Sequence, residues 1–280
     1  MNSNGHLTLI GLFGHPIHHS RSPLMQNAAF RAKGLPYTYV AFDVFPEQLK
    51  TAAESIRILG MRGVNVTIPH KVDIMACLDE LSPAAKLIGA VNTVVNEKGT
   101  LIGHNTDGSG YVRSLLEETR LSLPDANVLV LGAGGAARAV AAAMALQGAK
   151  RIQIVNRTPE KGRELAERLG TFCPAEAVSY QDLPELVSEA DLLVNTTSVG
   201  MHPNEQEIPL PPDLLHEKLV VSDLIYNPRQ TRLLWEAAKR GAKTHGGLGM
   251  FIYQGAEAFT LWTGEDAPVE LMRKTIESSL

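Results

Sequence analysis

The chain has 280 residues, 26 Lys and Arg against 30 Asp and Glu, a net charge of −4, and 44% hydrophobic residues. At roughly 100–200 residues per domain, this length predicts one large domain or two ordinary ones. The slight acidity, without a basic block, argues against nucleic acid as a partner, and no apolar run approaches the roughly 20 residues that cross a bilayer. Cys77 and Cys173 match neither CxxC nor a zinc pattern, so we expect buried thiols in a cytoplasmic protein.

Short apolar runs alternate with helical patterns along the chain. Ser22-Pro23 predicts an N-cap followed by the first helical residue, and a second helical spacing runs from Leu49 to Gly60. A domain boundary is predicted around Asp107–Gly110, where glycines precede a helical stretch. Alternating strands and helices imply parallel pairing and an α/β fold. The predicted strands are Thr8–Phe13, Tyr37–Val44, Gly63–Thr67, Ala90–Val95, Asn127–Leu131, Arg151–Val155, Asp191–Asn195, Leu219–Ile225 and Ala242–His245.

A glycine-rich turn indicates a nucleotide site. The apolar strand Asn127–Leu131 runs directly into this turn, where Gly132 and Gly134 allow backbone N–H groups to approach a pyrophosphate. Ala137 takes the place of the third glycine of GxGxxG, which the alanine-tolerant form of the motif permits. The alternative is a tight structural turn. An alanine-rich helical stretch and a second strand at Arg151–Val155 follow, and this context favours the dinucleotide interpretation.

The residues after the second strand bear on which cofactor is bound. An NAD site normally has Asp or Glu at this point, where it accepts hydrogen bonds from ribose hydroxyls. Here Arg157 and Thr158 follow the strand and Lys161 lies nearby, a set that suits a 2′-phosphate and therefore NADP. Glu160 is close enough to keep NAD open, and the cations could also be ordinary solvated charges.

Small polar residues at the end of the first strand suggest an anion site. Ser20 and Ser22 flank a helix start, where unpaired N–H groups and the helix dipole attract a carboxylate. Simple N-capping by Ser22 is the alternative. His15, His18 and His19 lie close by, but no carboxylate accompanies them in sequence and their spacing matches no zinc pattern, so we expect no metal.

Further polar clusters follow later strands of the first half. Asn65 and Thr67 alternate with apolar residues and therefore point to one face of their strand. Lys71 follows the same strand, and loops containing Asn92 and Asp107 offer an amide and a carboxylate. A loop lysine is usually only solvated. A Lys–Asp pair, however, could hold the proton that a carbonyl needs when it accepts a hydride.

Together these motifs resemble the shikimate dehydrogenases over nearly the whole chain. The resemblance implies two α/β domains, one with an open, mostly parallel sheet and one of Rossmann type, with a cleft between them. It also implies reversible, NADP-dependent reduction of 3-dehydroshikimate to shikimate, a step toward chorismate and the aromatic amino acids. The matching segments are Gly14–Pro23, Asn65–Lys71, Gly89–Thr93, Asn105–Gly108, Gly132–Ala136, Asn156–Thr158, Asn195–Met201, Tyr226–Pro228 and Gly247–Met250 with Gln254.

The resemblance also implies roles for individual residues. Lys71 would be the catalytic acid/base with Asp107 as its partner. Residues implied to bind the substrate are Ser20, Ser22, Thr67, Asn92, Asp107, Tyr226 and Gln254. Residues implied to bind the cofactor are Gly132, Ala133, Gly134, Gly135, Ala136, Asn156, Arg157, Thr158, Pro159, Glu160, Lys161, Leu224 and Gly247.

The family pattern predicts a discontinuous substrate domain, residues 1–107 plus 246–280, and an NADP-binding domain, residues 108–245. We expect small-molecule partners only, and a monomer or homodimer. His15 and His70 replace the asparagine and phenylalanine common at their positions in the family. Two other interpretations stay open: a quinate/shikimate dehydrogenase that uses NAD, and a non-catalytic NADP-sensing regulator.

Overall fold

The computed structural model describes residues 7–279 and contains two compact units. Unit 1 comprises the residues up to Thr106 together with those from Gln254 onward, and unit 2 comprises Asp107–Tyr253. The predicted second domain, 108–245, lies within unit 2. Asp107 and residues 246–253, grouped with the first domain in the sequence analysis, also pack in unit 2. Within residues 7–279, no helix is long and apolar enough to cross a membrane.

Unit 1 is built on a six-stranded mixed sheet. Its strands are β1 (Thr8–Gly14), β2 (Tyr37–Asp43), β3 (Gly63–Val66), β4 (Glu80–Leu81), β5 (Thr93–Glu97) and β6 (Thr100–His104). They lie in the order β2-β1-β3-β5-β6-β4. β1 pairs in parallel with β2 and β3, whereas β5 runs antiparallel to both β3 and β6. The sheet is therefore open and mostly, but not wholly, parallel.

Helices pack on the unit 1 sheet because their apolar stripes face it. They are α1 (Ser22–Ala32), α2 (Leu49–Ile58), α3 (Pro83–Ile88) and the C-terminal part of α9 (Gly247–Thr263), while α10 (Val269–Glu277) packs against α1. In α2 the buried residues Leu49, Ala53 and Ile56 keep helical spacing and join the core formed with β1, β3 and β5. On α9, the indole N–H of Trp262 donates to the Val94 carbonyl at 3.0 Å, which fixes this helix to β5.

Unit 2 contains a six-stranded sheet in which every pairing is parallel. Its strands are β7 (Asn127–Leu131), β8 (Arg151–Val155), β9 (Ala175–Val178), β10 (Leu192–Asn195), β11 (Val220–Asp223) and β12 (Lys243–His245), in the order β12-β11-β10-β7-β8-β9. Its helices are α4 (Asp107–Thr119), α5 (Gly135–Leu146), α6 (Pro159–Leu169), α7 (Leu183–Glu189), α8 (Arg232–Lys239) and the start of α9. The order reverses at β7, as in the doubly wound dinucleotide-binding fold.

The central strands of unit 2 are buried throughout their length. All residues of β10 and all but the first of β7 are buried, because helices cover both faces of a parallel sheet. This burial explains why the strands read as continuous apolar runs rather than alternating ones. The predicted α/β class with mostly parallel sheets is confirmed.

Candidate functional site

The polar clusters of unit 1 come together at one edge of its sheet. Phe13 pairs with Val66 near the ends of the parallel strands β1 and β3, so the Ser20–Ser22 and Thr67–Lys71 segments leave the sheet at the same edge. Because β5 is antiparallel to β3, its beginning, preceded by Asn92, lies at this edge as well. The end of β6 joins them, since His104 pairs with Thr93.

A network of hydrogen-bonded, buried polar side chains crosses this edge of the sheet. The Tyr39 hydroxyl, on β2, hydrogen-bonds Ser22 and donates to Asn65 Oδ1 at 2.7 Å. Asn65 Nδ2 in turn donates to Thr93 Oγ1 at 3.0 Å, and the Thr93 hydroxyl donates to Asn92 Oδ1 at 3.1 Å. Burial raises the pKa of Tyr39, so this residue acts as a neutral hydroxyl. This network fixes the orientation of Ser22 and Asn92, two predicted substrate-binding residues.

Asn92 connects this network to Thr106, which follows β6, and through Thr106 to α9. Its Oδ1 accepts the backbone N–H of Thr106 at 2.8 Å, and its Nδ2 donates to Thr106 Oγ1 at 2.9 Å. The Thr106 hydroxyl then donates to the Gln254 carbonyl at 3.0 Å. This bond places Gln254, another predicted substrate-binding residue, beside the same edge of the sheet.

The serine pair lies at the beginning of α1, but not as predicted. Arg21 rather than Ser22 is the N-cap residue, and the Arg21 side chain makes no capping hydrogen bond. Ser22 is the first helical residue, and its backbone N–H donates to Ser20 Oγ at 3.3 Å. The predicted N-cap role of Ser22 is therefore wrong, because its side chain is buried toward Tyr39.

Lys71 belongs to a turn that is held from two sides. Its carbonyl accepts the Val91 N–H at 2.7 Å. The neighbouring His70 is fully buried, and its ring Nε2 lies 2.7 Å from the Val44 carbonyl, which assigns the proton to Nε2. Lys71 itself is half-buried. The turn therefore fixes the backbone of Lys71 while its flexible side chain extends from a defined point.

The histidines after β1 have a carboxylate partner that sequence order did not reveal. His15 Nδ1 lies 2.8 Å from Asp43 Oδ1, and His18 Nε2 lies 3.6 Å from Asp43 Oδ2. The sequence-based expectation that no carboxylate accompanies them is wrong, because β2 pairs with β1 and brings Asp43 level with Gly14. Among residues 7–279, no group of three or more His, Cys, Asp or Glu side chains is arranged to hold a metal.

In unit 2, the glycine turn after β7 leaves space and unpaired donors. Gly132 has a φ of +109°, and a Cβ there would lie 2.5 Å from Thr196 Oγ1. At Gly134 and Gly135, by contrast, an added Cβ would meet no atom of the chain within 4 Å. Gly134 is the N-cap residue of α5 and provides no side-chain acceptor for the first N–H groups of the helix. Ala133 is buried and Ala136 half-buried beside this space, which suits a pyrophosphate.

The turn from β8 into α6 carries the predicted adenosine-phosphate residues. Asn156 Nδ2 donates to the Thr158 carbonyl at 2.8 Å, which closes the turn before Pro159, the first residue of α6. Arg157 and Lys161 are exposed, and neither forms an ion pair with another residue in the described part of the chain. Glu160 is already paired with Arg163 at 3.2 Å.

Tyr180, a residue that the sequence analysis did not single out, lies close to this turn. Val155 and Val178 are paired at the ends of β8 and β9, so the segments that follow them leave the sheet together. Burial raises the pKa of the Tyr180 hydroxyl, and the nearby positive charge of Arg157 lowers it. The sequence gives little sign of this pairing, because β9 has only four residues, Ala-Glu-Ala-Val, and is too short to identify as a strand.

The remaining predicted residues of unit 2 lie at helix starts and strand ends. Asp107 is the first residue of α4 and is buried. Leu224 follows β11, and a Cβ on Gly247 would lie 2.1 Å from the Leu224 carbonyl oxygen, so only glycine fits at the start of α9. The Tyr226 ring stacks on Phe251 with centroids 4.8 Å apart.

Comparison with known families covers most of both units. The family described as the shikimate dehydrogenase substrate binding domain matches residues 12–94. Shikimate / quinate 5-dehydrogenase matches residues 114–207, and the shikimate 5′-dehydrogenase C-terminal domain matches residues 247–277. The shikimate dehydrogenase (NADP(+)) of Methanopyrus kandleri is 51% identical over 273 residues, which is 96% of this chain and 94% of the relative.

Solved structures are similar over the same extent. A shikimate dehydrogenase in complex with NADP+ has a TM-score of 0.90 and 47% identity, covering 98% of this chain and 96% of the other. The Thermus thermophilus enzyme in complex with NADP(H) and shikimate has a TM-score of 0.89 and 40% identity, over 98% and 100%. A quinate dehydrogenase from Corynebacterium glutamicum, in complex with NAD, has a TM-score of 0.89 and 33% identity, over 97% and 99%.

Proposed function

Because the chain belongs to the shikimate dehydrogenase family, we propose that it catalyses the reversible, NADP-dependent reduction of the 3-carbonyl of 3-dehydroshikimate to shikimate, in chorismate and aromatic amino-acid biosynthesis. The observation that carries the proposal is the gathering of Ser22, Thr67, Lys71 and Asn92 at one edge of the unit 1 sheet. A proton donor and neutral hydrogen-bonding groups at one edge suit a small, polar, anionic substrate.

In this proposal the substrate is bound mainly by neutral groups. The hydroxyls of Ser20 and Ser22, at the positive end of α1, bind the carboxylate. Ring hydroxyls and the carboxylate are bound by the remaining substrate-binding residues, Thr67, Asn92, Asp107, Tyr226 and Gln254. The orientation of Asn92 matters here, because both ends of its amide are already engaged with Thr106. A substrate hydroxyl must therefore meet Asn92 in one defined geometry.

NADP is held by groups of unit 2. The pyrophosphate lies against Gly132, Ala133, Gly134, Gly135 and Ala136, where the free N–H groups of α5 are directed. The adenosine end, with its 2′-phosphate, lies against Asn156, Arg157, Thr158, Pro159, Glu160 and Lys161. Leu224 and Gly247 line the nicotinamide pocket. The bound cofactor supplies the hydride, and the protein supplies position and proton.

Lys71 supplies that proton. As hydride reaches the carbonyl carbon, negative charge develops on the carbonyl oxygen. A protonated Lys71 stabilises this oxygen and donates its proton to it, and in the reverse direction neutral Lys71 removes the proton from the hydroxyl. Asp107 hydrogen-bonds a substrate hydroxyl. The balanced reaction consumes one NADPH and one proton for each carbonyl reduced.

The proposal places most substrate-binding residues in 1–107 with 246–280 and most cofactor-binding residues in 108–245; Tyr226 and Gly247 are the exceptions. Its partners are these two small molecules. A cytoplasmic location and a monomeric or homodimeric state stay predictions from the sequence.

A quinate/shikimate dehydrogenase that uses NAD is the second candidate, and the similarity to the quinate dehydrogenase favours keeping it in the test. Against it, no acidic residue ends β8, and Arg157 and Thr158, which follow the strand, suit a phosphate. A non-catalytic NADP sensor would have no use for a proton donor placed among substrate-binding hydroxyls, so the position of Lys71 argues against that alternative.

The test is oxidation of shikimate and of quinate by the purified protein, each with NADP and with NAD. We expect the highest kcat/KM for shikimate with NADP. Higher kcat/KM for quinate with NAD would establish the second candidate instead. No cofactor reduction with either substrate, in a protein that still binds NADPH, would support the sensor.

A further inference from the structure

Asp223 is a fully buried carboxylate at the end of β11. Three donors converge on it. Asn195 Nδ2 and the Ile225 N–H each donate to Oδ1 at 3.1 Å, and the Thr231 hydroxyl donates to Oδ2 at 2.7 Å. These partners, on β10, on the segment after β11 and at the N-cap of α8, are all uncharged. A buried carboxylate with no cationic partner is costly, so an apolar or amide residue would be the cheaper choice for stability alone.

The bond from Asn195 sets the shape of the loop after β10. Because Nδ2 is directed to Asp223, Oδ1 of the same amide must face the other way, where it accepts the Thr197 N–H at 3.1 Å and the Thr197 hydroxyl at 2.7 Å. Thr197 Oγ1 then accepts the Val199 N–H at 3.2 Å. Asn195 Nδ2 also lies 3.4 Å from the Val199 carbonyl, so Asp223 and the loop together hold the Asn195 amide in this orientation.

The bond from Ile225 sets the path of the segment after β11. Asp223 Oδ1 accepts from the residue two positions later, which forms an Asx-type turn. Within this turn, the Leu224 N–H donates to the Asn195 carbonyl at 3.1 Å, and the Ile225 carbonyl accepts the Gly247 N–H at 3.3 Å. Asp223 therefore joins two loops, 196–200 and 224–226, at the carboxyl ends of neighbouring parallel strands.

We propose that Asp223 is a positioning residue for the nicotinamide half of the cofactor. The inference rests on the proposed function, which places Leu224 and Gly247 in the nicotinamide pocket. Asp223 acts through other groups: it fixes the Leu224 backbone by the turn and fixes the facing loop by the Asn195 amide. A carboxylate accepts all three donors at once and binds them more strongly than a neutral amide oxygen would. The hydrogen bond described for the adenosine-phosphate residues after β8, from Asn156 to the Thr158 carbonyl, stays within their own turn.

The experiment compares two ligands that share the adenosine end. Binding of NADPH and of adenosine 2′,5′-bisphosphate, which lacks the nicotinamide half, is measured by titration calorimetry for the full-length protein and for Asp223→Asn. We expect the variant to bind NADPH about tenfold more weakly, because the acceptor of Asn195 and Ile225 loses its charge and the oxygen that accepts from Thr231 becomes an NH2 group. We expect it to bind the bisphosphate within about twofold of the unsubstituted protein. The matched control is Asp191→Asn, which also removes a carboxylate that accepts a backbone N–H, that of Asn127 at 2.8 Å, but at the opposite edge of the same sheet.

Equal loss of affinity for both ligands would mean that Asp223 only supports the fold of unit 2, and no loss for either would mean that the network does not position the cofactor; both outcomes overturn the proposal. If Asp223→Asn does not fold, Thr231→Val and Thr231→Ser replace it. We then expect Val to weaken NADPH binding alone and Ser, which keeps the hydroxyl bond, to restore it. If the unsubstituted protein binds neither ligand, the proposed function fails instead.

Discussion

Glycine stands at Gly132, Gly134 and Gly135 for two different reasons. At Gly132 the backbone requires it, because φ is +109° and the neighbouring Thr196 hydroxyl occupies the place of a Cβ. At Gly134 and Gly135 the φ angle is not in the left-handed region and a Cβ would meet no atom of the chain. The fold therefore does not require glycine at these two positions, and under the proposed function the missing side chains leave room for the pyrophosphate.

Gly135→Ala should consequently separate stability from cofactor binding. Gly135 begins α5, so alanine should leave the free energy of unfolding unchanged or raise it by up to about 1 kcal/mol. NADPH affinity should fall by roughly tenfold or more, because the methyl group enters the pyrophosphate space. Urea unfolding and calorimetric titration measure the two effects. The control is Gly170→Ala, at the end of α6, where a Cβ makes only ordinary contacts at 3.5 Å; unchanged NADPH affinity in Gly135→Ala would contradict the assignment.

Lys71→Ala should lower kcat by roughly 10²–10⁴-fold and change KM for shikimate far less, because the proton transfer is made in the transition state while hydroxyls and amides hold the substrate. Steady-state kinetics of shikimate oxidation measure both values. Lys86→Ala is the matched control, since Lys86 lies in the last turn of α3 in the same unit. A near-normal kcat in Lys71→Ala would remove the acid/base role from this residue.

At the scale of secondary-structure elements, the proposed function makes the turn between β8 and α6 the part of the chain that selects the cofactor. Arg157→Ala should weaken NADPH binding by about 10- to 100-fold, the range expected for loss of charge-assisted hydrogen bonds to a phosphate, and should leave NADH binding unchanged. Calorimetric titration with each cofactor tests this. Arg163→Ala, on the exposed face of the same helix and paired with Glu160, is the control. Equal weakening of both cofactors would contradict 2′-phosphate recognition.

The strands that the sequence did not predict are either very short or part of a hairpin. β6 follows β5 through a tight turn in which Lys98 and Gly99 both have positive φ. This strand was not predicted, because alternating strands and helices indicate crossovers rather than a hairpin. β4 has two residues and β9 four, too few for a periodic signal. The long apolar strands and the alanine-rich helix were predicted correctly, since burial on both faces leaves a continuous apolar run.

The candidate site was predictable in its strand-end residues and not in the groups that orient them. Thr67 and Lys71 could be found because they follow an apolar strand. Tyr39 could not, because the sequence does not show which strands are neighbours, and Tyr39 acts through a hydrogen bond to Asn65 on β3. Asp43 was missed for the same reason: its partner His15 is 28 positions away and becomes adjacent only through the pairing of β1 with β2.

For the whole molecule, two buried groups of unit 2 give stability opposite pH dependences. Burial lowers the pKa of His245 from 6.5 to about 4; its two ring nitrogens lie 2.8 Å from the hydroxyls of Ser114 and Ser222. Burial raises the pKa of Asp223 from 3.8 to about 6. At one pKa unit per roughly 1.4 kcal/mol, each group changes the free energy of unfolding by about 3 kcal/mol across its window.

The signs follow from which state binds more protons. Between pH 4 and 6.5 the unfolded chain protonates His245 and the folded chain does not, so this group makes stability rise with pH, with its full contribution above 6.5. Between pH 3.8 and 6 the folded chain retains a proton on Asp223 that the unfolded chain has lost, so this group makes stability fall as pH rises. Between pH 4 and 6 the two contributions largely cancel.

Removing either group should therefore reveal the other. Asp223→Asn should show a free energy of unfolding that climbs more steeply than in the unsubstituted protein between pH 4 and 6, because only the His245 contribution remains. His245→Gln should show the reverse, a steeper decline over the same range. Urea unfolding followed by far-ultraviolet circular dichroism at half-unit pH steps gives the free energy of unfolding as a function of pH. Subtracting the curve of the unsubstituted protein from that of each variant removes the contribution of all the other titratable groups. Parallel curves for all three proteins would mean that neither group keeps its shifted pKa in solution. Burial of the Asp223 carboxylate at the end of β11 would then carry no energetic cost.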